Sequence, residues 1–418
     1  MTRAAGIGVS LVVVVTMVAG CASGGGGSAT ASHHPPATTA VAGVPAVRVV
    51  GSTYLVPDPL PPGRPGALIA LSATGPDGSV DAGQRWVFLY HSTDVRARDV
   101  AVSGQLVVPR GKPPAGGWPV VSWAHGTTGI ADRCTPSQHD FWDRENAAEV
   151  RTFVDAGYAV AATDYPGLGT PGTHPYLVGV DEGNAVVDVV RAAHAVEDHL
   201  SRTWFAVGHS QGGQAVLFAT RSAARAPELH LAATVSMAPA SALNAILPAV
   251  ISLGALSDQA YAIYALIGLT TFDPNVRLDA LLGPEGVARL PVALETGCID
   301  QADAAFRQVP TARLFQIPPA ELTRLDGELG RYDEPDAQPT VGPVLVIQGT
   351  ADQDVPAEAT AVLVANLRKA HASVQERVYP GLDHDGIVGP SACVQLEWFA
   401  GHGGIPVTHC VAHATDRS

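Results

Sequence analysis

The chain has 418 residues, of which 46% are hydrophobic and 15% charged, and its formal net charge is −14. That length supports a large buried core. The acidic balance, with no Lys/Arg cluster, argues against nucleic acid or an anionic membrane surface as a direct partner.

The N-terminus has the pattern of an export signal. Arg3 precedes the apolar run Ile7–Val18, which is too short to span a bilayer. The run ends in Val18-Ala19-Gly20-Cys21, small residues ahead of a cysteine, which resembles the lipobox of a bacterial lipoprotein. Residues 1–20 are expected to be a signal peptide and Cys21 the lipidated mature N-terminus. The protein is then exported and held by lipid to the outer face of the cell membrane or envelope. Residues 21–50 are Gly, Ser, Ala, Thr and Pro with almost no charge, and form a flexible tether in which His33-His34 is a solvated pair.

Next come two expected strands, Arg85–His91 and Val100–Pro109, as an antiparallel pair on a sheet edge. Trp118–Ala124 is almost wholly apolar, as a buried strand should be, and runs into His125-Gly126-Thr127-Thr128-Gly129. A helix at Ala147–Gly157, a strand at Tyr158–Thr163 and an amphipathic helix at Glu182–Leu200 follow. Thr203–Val207 is a short strand, Gly208-His209-Ser210-Gln211-Gly212-Gly213 a tight turn, and the next residues a helix. Leu231–Met237 is another strand. Residues 241–339 are helical and Ala/Leu-rich, with Ala260–Leu269 apolar throughout as cap core or an apolar wall. Strands then resume at Val341–Gln348 and Ser373–Tyr379, with helices at Pro356–Ala370 and Ala392–His402. The alternation predicts an α/β fold, a mostly parallel sheet covered by helices on both faces. Residues 51–240 and 340–418 form its core and 241–339 a helical cap or lid.

Strand, Gly-rich turn and helix around Ser210 form the context of a G-x-S-x-G nucleophile elbow. The Ser occupies a sharp turn, so its neighbours two before and two after lack side chains. Such a nucleophile needs a base and an acid to orient it, from later strands and in the order acid, then His. Asp352 lies in the turn after Val341–Gln348, with Asp354 as its competitor, and His384 in the loop after Ser373–Tyr379. His209 is assigned to packing, pointing away from the site. The oxyanion requires two fixed N–H donors. They are assigned to Gln211, directly after the nucleophile, and to Thr127, whose hydroxyl also assists. Neither metal nor organic cofactor is required.

Four cysteines remain besides Cys21: Cys134, Cys298, Cys393 and Cys410. In an exported protein they predict two disulfides, and three pairings are open. Cys393–Cys410 closes a short local loop, and Cys134–Cys298 then follows by elimination. No C-x₂-C or H-x₃-H spacing supports a metal.

Together these stretches resemble the α/β-hydrolase fold. More narrowly they resemble the secretory lipase family of the Candida antarctica lipase A type. The resemblance rests on His125–Gly129, Cys134-Thr135-Pro136-Ser137, Asp164-Tyr165-Pro166-Gly167-Leu168-Gly169, Gly208–Gly213, Gly349–Asp352 and Asp383-His384. It implies a Ser210–Asp352–His384 triad, a helical lid before the acid, and hydrolysis of carboxylic esters including acylglycerols. It also supports the Cys134–Cys298 link. Some members carry an acidic residue where Thr127 stands. The expected activity is that of a serine lipase or esterase on a small-molecule or lipid ester. The alternatives are acyl transfer, polyester or amide cleavage with the same triad, and a non-catalytic ligand-binding envelope lipoprotein.

Overall fold

The computed structural model describes residues 53–410, except 75–79, 81–82, 140, 142, 254–258 and 337. The expected signal peptide, lipidated Cys21 and tether lie outside the described residues.

Among the described residues nine strands form one sheet in the order β1-β2-β3-β5-β4-β6-β7-β8-β9. They are β1 (Leu68–Thr74), β2 (Gln84–Thr93), β3 (Asp99–Val108), β4 (Trp118–Ala124), β5 (Ala159–Pro166), β6 (Leu200–His209), β7 (His230–Met237), β8 (Pro343–Gly349) and β9 (Ser373–Tyr379). Pairing is antiparallel from β1 through β3 to β5, and parallel from β5 to β9. The expected antiparallel pair is therefore present as β2 and β3, but it is not the edge. The sequence reading missed β1, which covers β2. Its segment Leu-Ile-Ala-Leu-Ser-Ala-Thr has little β-branching, and pairing with β2 holds it in the sheet.

The inner parallel strands are mostly buried because both faces are covered, whereas the edge strand β9 is largely exposed. Along β4, Val121 and Trp123 enter one apolar cluster while Val120 and Ala124 enter the other. The first cluster is completed by α1 (Arg144–Asp155) and α12 (Val388–Ala400), through Val150, Phe153, Leu396 and Phe399. The second is completed by α2 (Gly179–Val196) and α3 (Gln211–Ser222), through Val186, Val190, Ala215 and Val216. Full burial of a side chain such as Phe205 contributes about 1.5–3 kcal/mol. Helix α11 (Ala357–Lys369) packs Leu363 and Leu367 with Val344 and Val346 of β8.

Between β7 and β8 the described chain is helical: α4 (Leu243–Leu253), α5 (Gln259–Thr270), α6 (Leu278–Leu281), α7 (Pro284–Pro291), α8 (Ile299–Phe306), α9 (Thr311–Leu314) and α10 (Pro319–Tyr332). These helices bury their own apolar cluster, including Ile263, Leu266, Phe306, Leu314, Leu325 and Leu329. Ala260–Leu269 falls in α5, whose apolar residues are almost all buried. Among the described residues no helix is long and apolar enough to cross a membrane.

Among the described residues two disulfides are present, Cys134–Cys298 with Cα atoms 5.5 Å apart and Cys393–Cys410 at 5.7 Å. The first joins the loop after β4 to the residue that caps α8. Beside it the Ile299 N–H donates to the Thr128 carbonyl at 2.9 Å.

Candidate active site

The turn between β6 and α3 is as tight as its glycines require. A methyl group on Gly212 would stand 1.9 Å from the Ala124 carbonyl oxygen, and one on Gly208 2.1 Å from that of Gly212. Ser210, between them, has φ 57° and ψ −116°, a left-handed φ that a non-glycine residue rarely adopts. Hydrogen bonds lock it there. Its N–H donates to the Met237 carbonyl at 2.9 Å, and its carbonyl accepts from Gln214 and Ala240 N–H at 3.1 Å each.

The loop after β9 brings His384 to the same place. His384 Nδ1 lies 2.8 Å from Asp352 Oδ2. A carboxylate only accepts, so Nδ1 donates, which in the neutral ring leaves the lone pair on Nε2. Asp352 is fixed by three further donors: Asp354 and Val355 N–H to Oδ1 at 3.0 and 2.8 Å, and Gln348 Nε2 to Oδ2 at 3.0 Å. Burial pushes the Asp352 carboxyl up, but the hydrogen bond and charge of His384, together with the Val355 and Gln348 donors, hold it below its ordinary value. Burial likewise pulls His384 down, and Asp352 with the nearby Asp354 and Asp385 raises it overall. Asp354 is not the hydrogen-bond partner of His384.

Two cavities meet at Ser210 and His384. One, with about 650 Å³ of empty space, is apolar and walled by the helical insert through Leu243, Leu247, Val250, Ala262, Ala265 and Leu329. The other, about 770 Å³, is polar and lined by Thr127, Thr128, Asp143, Asn146, Asp300 and Asp385. Gly126, in the turn after β4, lies against the elbow: a methyl there would be 3.7 Å from Ser210 Cβ. Gln211 is the first residue of α3, so its N–H is one of the helix-start donors with no partner inside the helix. The Thr127 hydroxyl is 2.7 Å from the Tyr176 hydroxyl.

His209 does not point away from the site. It lines the polar cavity and its Nε2 donates to the His384 carbonyl at 3.0 Å, with the rings 4.5 Å apart. It does pack, but on the loop that carries His384. His209, His384 and Asp385 also approach closely enough to hold a metal ion. His384 Nδ1 is committed to Asp352, and no metal is needed for the chemistry that the pair supports.

Behind the elbow is a buried polar layer that sequence reasoning missed: His174, Tyr176, Glu182, Gln214 and Asp333. Its sequence signal was thin, a Glu and a Gln on otherwise apolar helix faces. Burial raises Asp181 and Glu182 to about 8, Glu149 to about 7, and Asp164 and Asp188 to about 6, and lifts Asp333 well above its ordinary range. Burial lowers His125 and His209 to about 4 and His174 to about 3. Two opposite pH dependences follow. The raised carboxyls bind more protons folded than unfolded, so stability falls as pH rises from about 4 through 8. The depressed imidazoles bind fewer, so stability falls as pH drops from about 6.5 towards 4. Six raised carboxyls outnumber three depressed imidazoles, so the first effect dominates and the melting temperature should decline from about pH 5 towards pH 9, as a scanning-fluorimetry pH series would record. A maximum above pH 8 would contradict it.

The model of the alpha/beta hydrolase family matches residues 123–396, and the chain belongs to that family. Among solved structures it is similar to Candida antarctica lipase A in its closed state, at 20% identity and TM-score 0.69, covering 86% of this chain and 88% of that one. It is also similar to the rice cell wall degrading esterase LipA from Xanthomonas oryzae, at 20% identity and TM-score 0.63, covering 81% and 97%. At that identity the likeness establishes the fold. No curated protein matches the chain in sequence.

Proposed function

We propose that the protein is a serine carboxylic-ester hydrolase of the lipase or esterase kind, working through an acyl-enzyme. The observation that carries this reading is Ser210, held at a left-handed φ of 57°, sharing two cavities with an imidazole whose Nδ1 is bound to Asp352 at 2.8 Å. His384 Nε2 takes the Ser210 proton as Oγ attacks the ester carbonyl. The oxyanion is received by the N–H groups of Thr127 and Gln211. The imidazolium returns the proton to the leaving alcohol, and water, activated by the same imidazole, releases the acid. Asp352 keeps the ring in the required tautomer. In the same reading the helical insert is a cap over the site, and Cys21 carries the lipid that holds the enzyme at the envelope.

The two cavities divide the substrate. The apolar one receives an apolar acyl chain, and the polar one the alcohol. Each methylene buried adds about 0.8 kcal/mol, or roughly a fourfold gain in kcat/KM, until the cavity is full. A series of p-nitrophenyl esters should therefore climb and then break at one chain length. A flat profile would contradict the acyl assignment.

The reading as a whole is tested with a fluorophosphonate probe, followed by intact mass and peptide mapping. Labelling at Ser210 that vanishes in Ser210→Ala supports it. A folded protein that stays unlabelled, with detergent present to open a cap, overturns it and favours a binding lipoprotein.

A further inference from the structure

Glu182 is fully buried in α2, and among the described residues no Lys or Arg forms an ion pair with it. The nearest basic group is His174, 3.8 Å away. His174 Nδ1 donates to the Pro166 carbonyl at 2.9 Å, and burial keeps the ring neutral, so Nε2 is an acceptor. A buried carboxyl without an ion pair is costly, and an apolar side chain would pack there at less cost. What Glu182 does instead is accept twice on one oxygen. Its Oε1 receives the Gln211 side-chain amide at 2.7 Å and the Leu177 N–H at 2.9 Å. Oε2 has no hydrogen-bond partner among the described residues.

Both contacts lead to the oxyanion hole. Gln211 supplies one proposed donor, and its amide is held on the other side by His174 Nε2 at 2.9 Å. Leu177 sits at a left-handed φ of 62°, costly for a leucine. It is held there by Glu182 on its N–H and by Gln214 Nε2 on its carbonyl at 2.8 Å. That backbone sets Tyr176, whose hydroxyl meets the Thr127 hydroxyl at 2.7 Å. Thr127 supplies the other donor.

We propose that Glu182 is a positioning residue of the oxyanion hole, holding the Gln211 and Thr127 donors in register through Gln211 itself and through the Leu177–Tyr176 segment. The proposal rests on the hydrolase reading. It does not require the carboxyl to ionise, only to present one accepting oxygen, so Glu182→Gln should serve nearly as well. Glu182→Leu keeps the volume and removes the acceptor. Tyr176→Phe cuts only the link to Thr127.

The test measures kcat and KM on p-nitrophenyl butyrate, and the Ki of an alkyl trifluoromethyl ketone, whose adduct places an oxyanion in the hole. Glu182→Leu should lower kcat about 10- to 100-fold with KM within about twofold, and raise Ki by a matching factor. Glu182→Gln should stay within about threefold of wild type, and Tyr176→Phe should lose about three- to tenfold in kcat. A role in stability alone would lower the melting temperature and leave kcat and Ki unchanged. A folded Glu182→Leu with wild-type kcat and Ki overturns the proposal. If that variant does not fold, Tyr176→Phe with wild-type kcat and Ki overturns it, and the stated loss supports it. A wild type that neither hydrolyses the ester nor takes the fluorophosphonate label fails at the hydrolase reading, not at Glu182.

Discussion

Ser210→Ala should lower kcat for ester hydrolysis by about 10⁵- to 10⁶-fold, because removing the nucleophile disables the whole constellation rather than one contribution to it. The melting temperature should not fall, and relief of the left-handed strain by the smaller side chain is minor, since Ala also carries a Cβ. The measurement is a progress curve on p-nitrophenyl butyrate with active-site titration of the wild type. Residual activity within tenfold of wild type would mean that another group attacks.

The second large effect separates the two candidate acids. Asp352→Asn should cost about 10⁴-fold in kcat, because an amide in that position favours the wrong imidazole tautomer. Asp352 accepts from His384 Nδ1 directly, whereas Asp354 uses its own N–H to bind Asp352 Oδ1. Asp354→Asn should therefore stay within about threefold of wild type. The two variants also differ in pH profile. His384 is raised above its ordinary value chiefly by its hydrogen bond to Asp352, against the pull of burial. Without that carboxylate the acidic limb of kcat/KM should move to lower pH. Equal losses in both variants would reassign the acid.

Much of the fold was legible because the inner strands of the parallel half carry apolar residues on both sides, and the helices between them keep a 3.6-residue stripe. β4 and β9 match their expected bounds, and β7 and β8 come within two residues. The elbow was legible for a harder physical reason: at Gly208 and Gly212 no Cβ fits. Cys393–Cys410 was readable as a short loop and Cys134–Cys298 by elimination and from the resemblance, and both bonds are present. What escaped reading depends on contacts distant in sequence. β1 is a strand because β2 lies beside it, 10 or more residues further along the chain. His209 was sent the wrong way because the turn's geometry, not its spelling, decides which neighbour of the nucleophile faces His384. Glu182 and Tyr176 gave no sign of sharing one hydrogen-bonded layer with Thr127 and Gln211, since nothing in local spacing predicts a contact between α2, α3 and two loops.

The helical insert leaves the sheet after β7 and returns at β8, and those two strands are direct parallel neighbours. Seen as engineering, this is a socket. A stretch of about a hundred residues enters and leaves through one gap in the scaffold, so its exchange need not disturb the strands that hold Ser210, Asp352 and His384. The insert supplies most of the apolar cavity wall, so acyl preference should be transferable by grafting it. The exchange has one condition. Cys298 belongs to the insert and Cys134 to the scaffold, so a graft lacking a cysteine at the matching position leaves a free thiol beside the Thr127 turn.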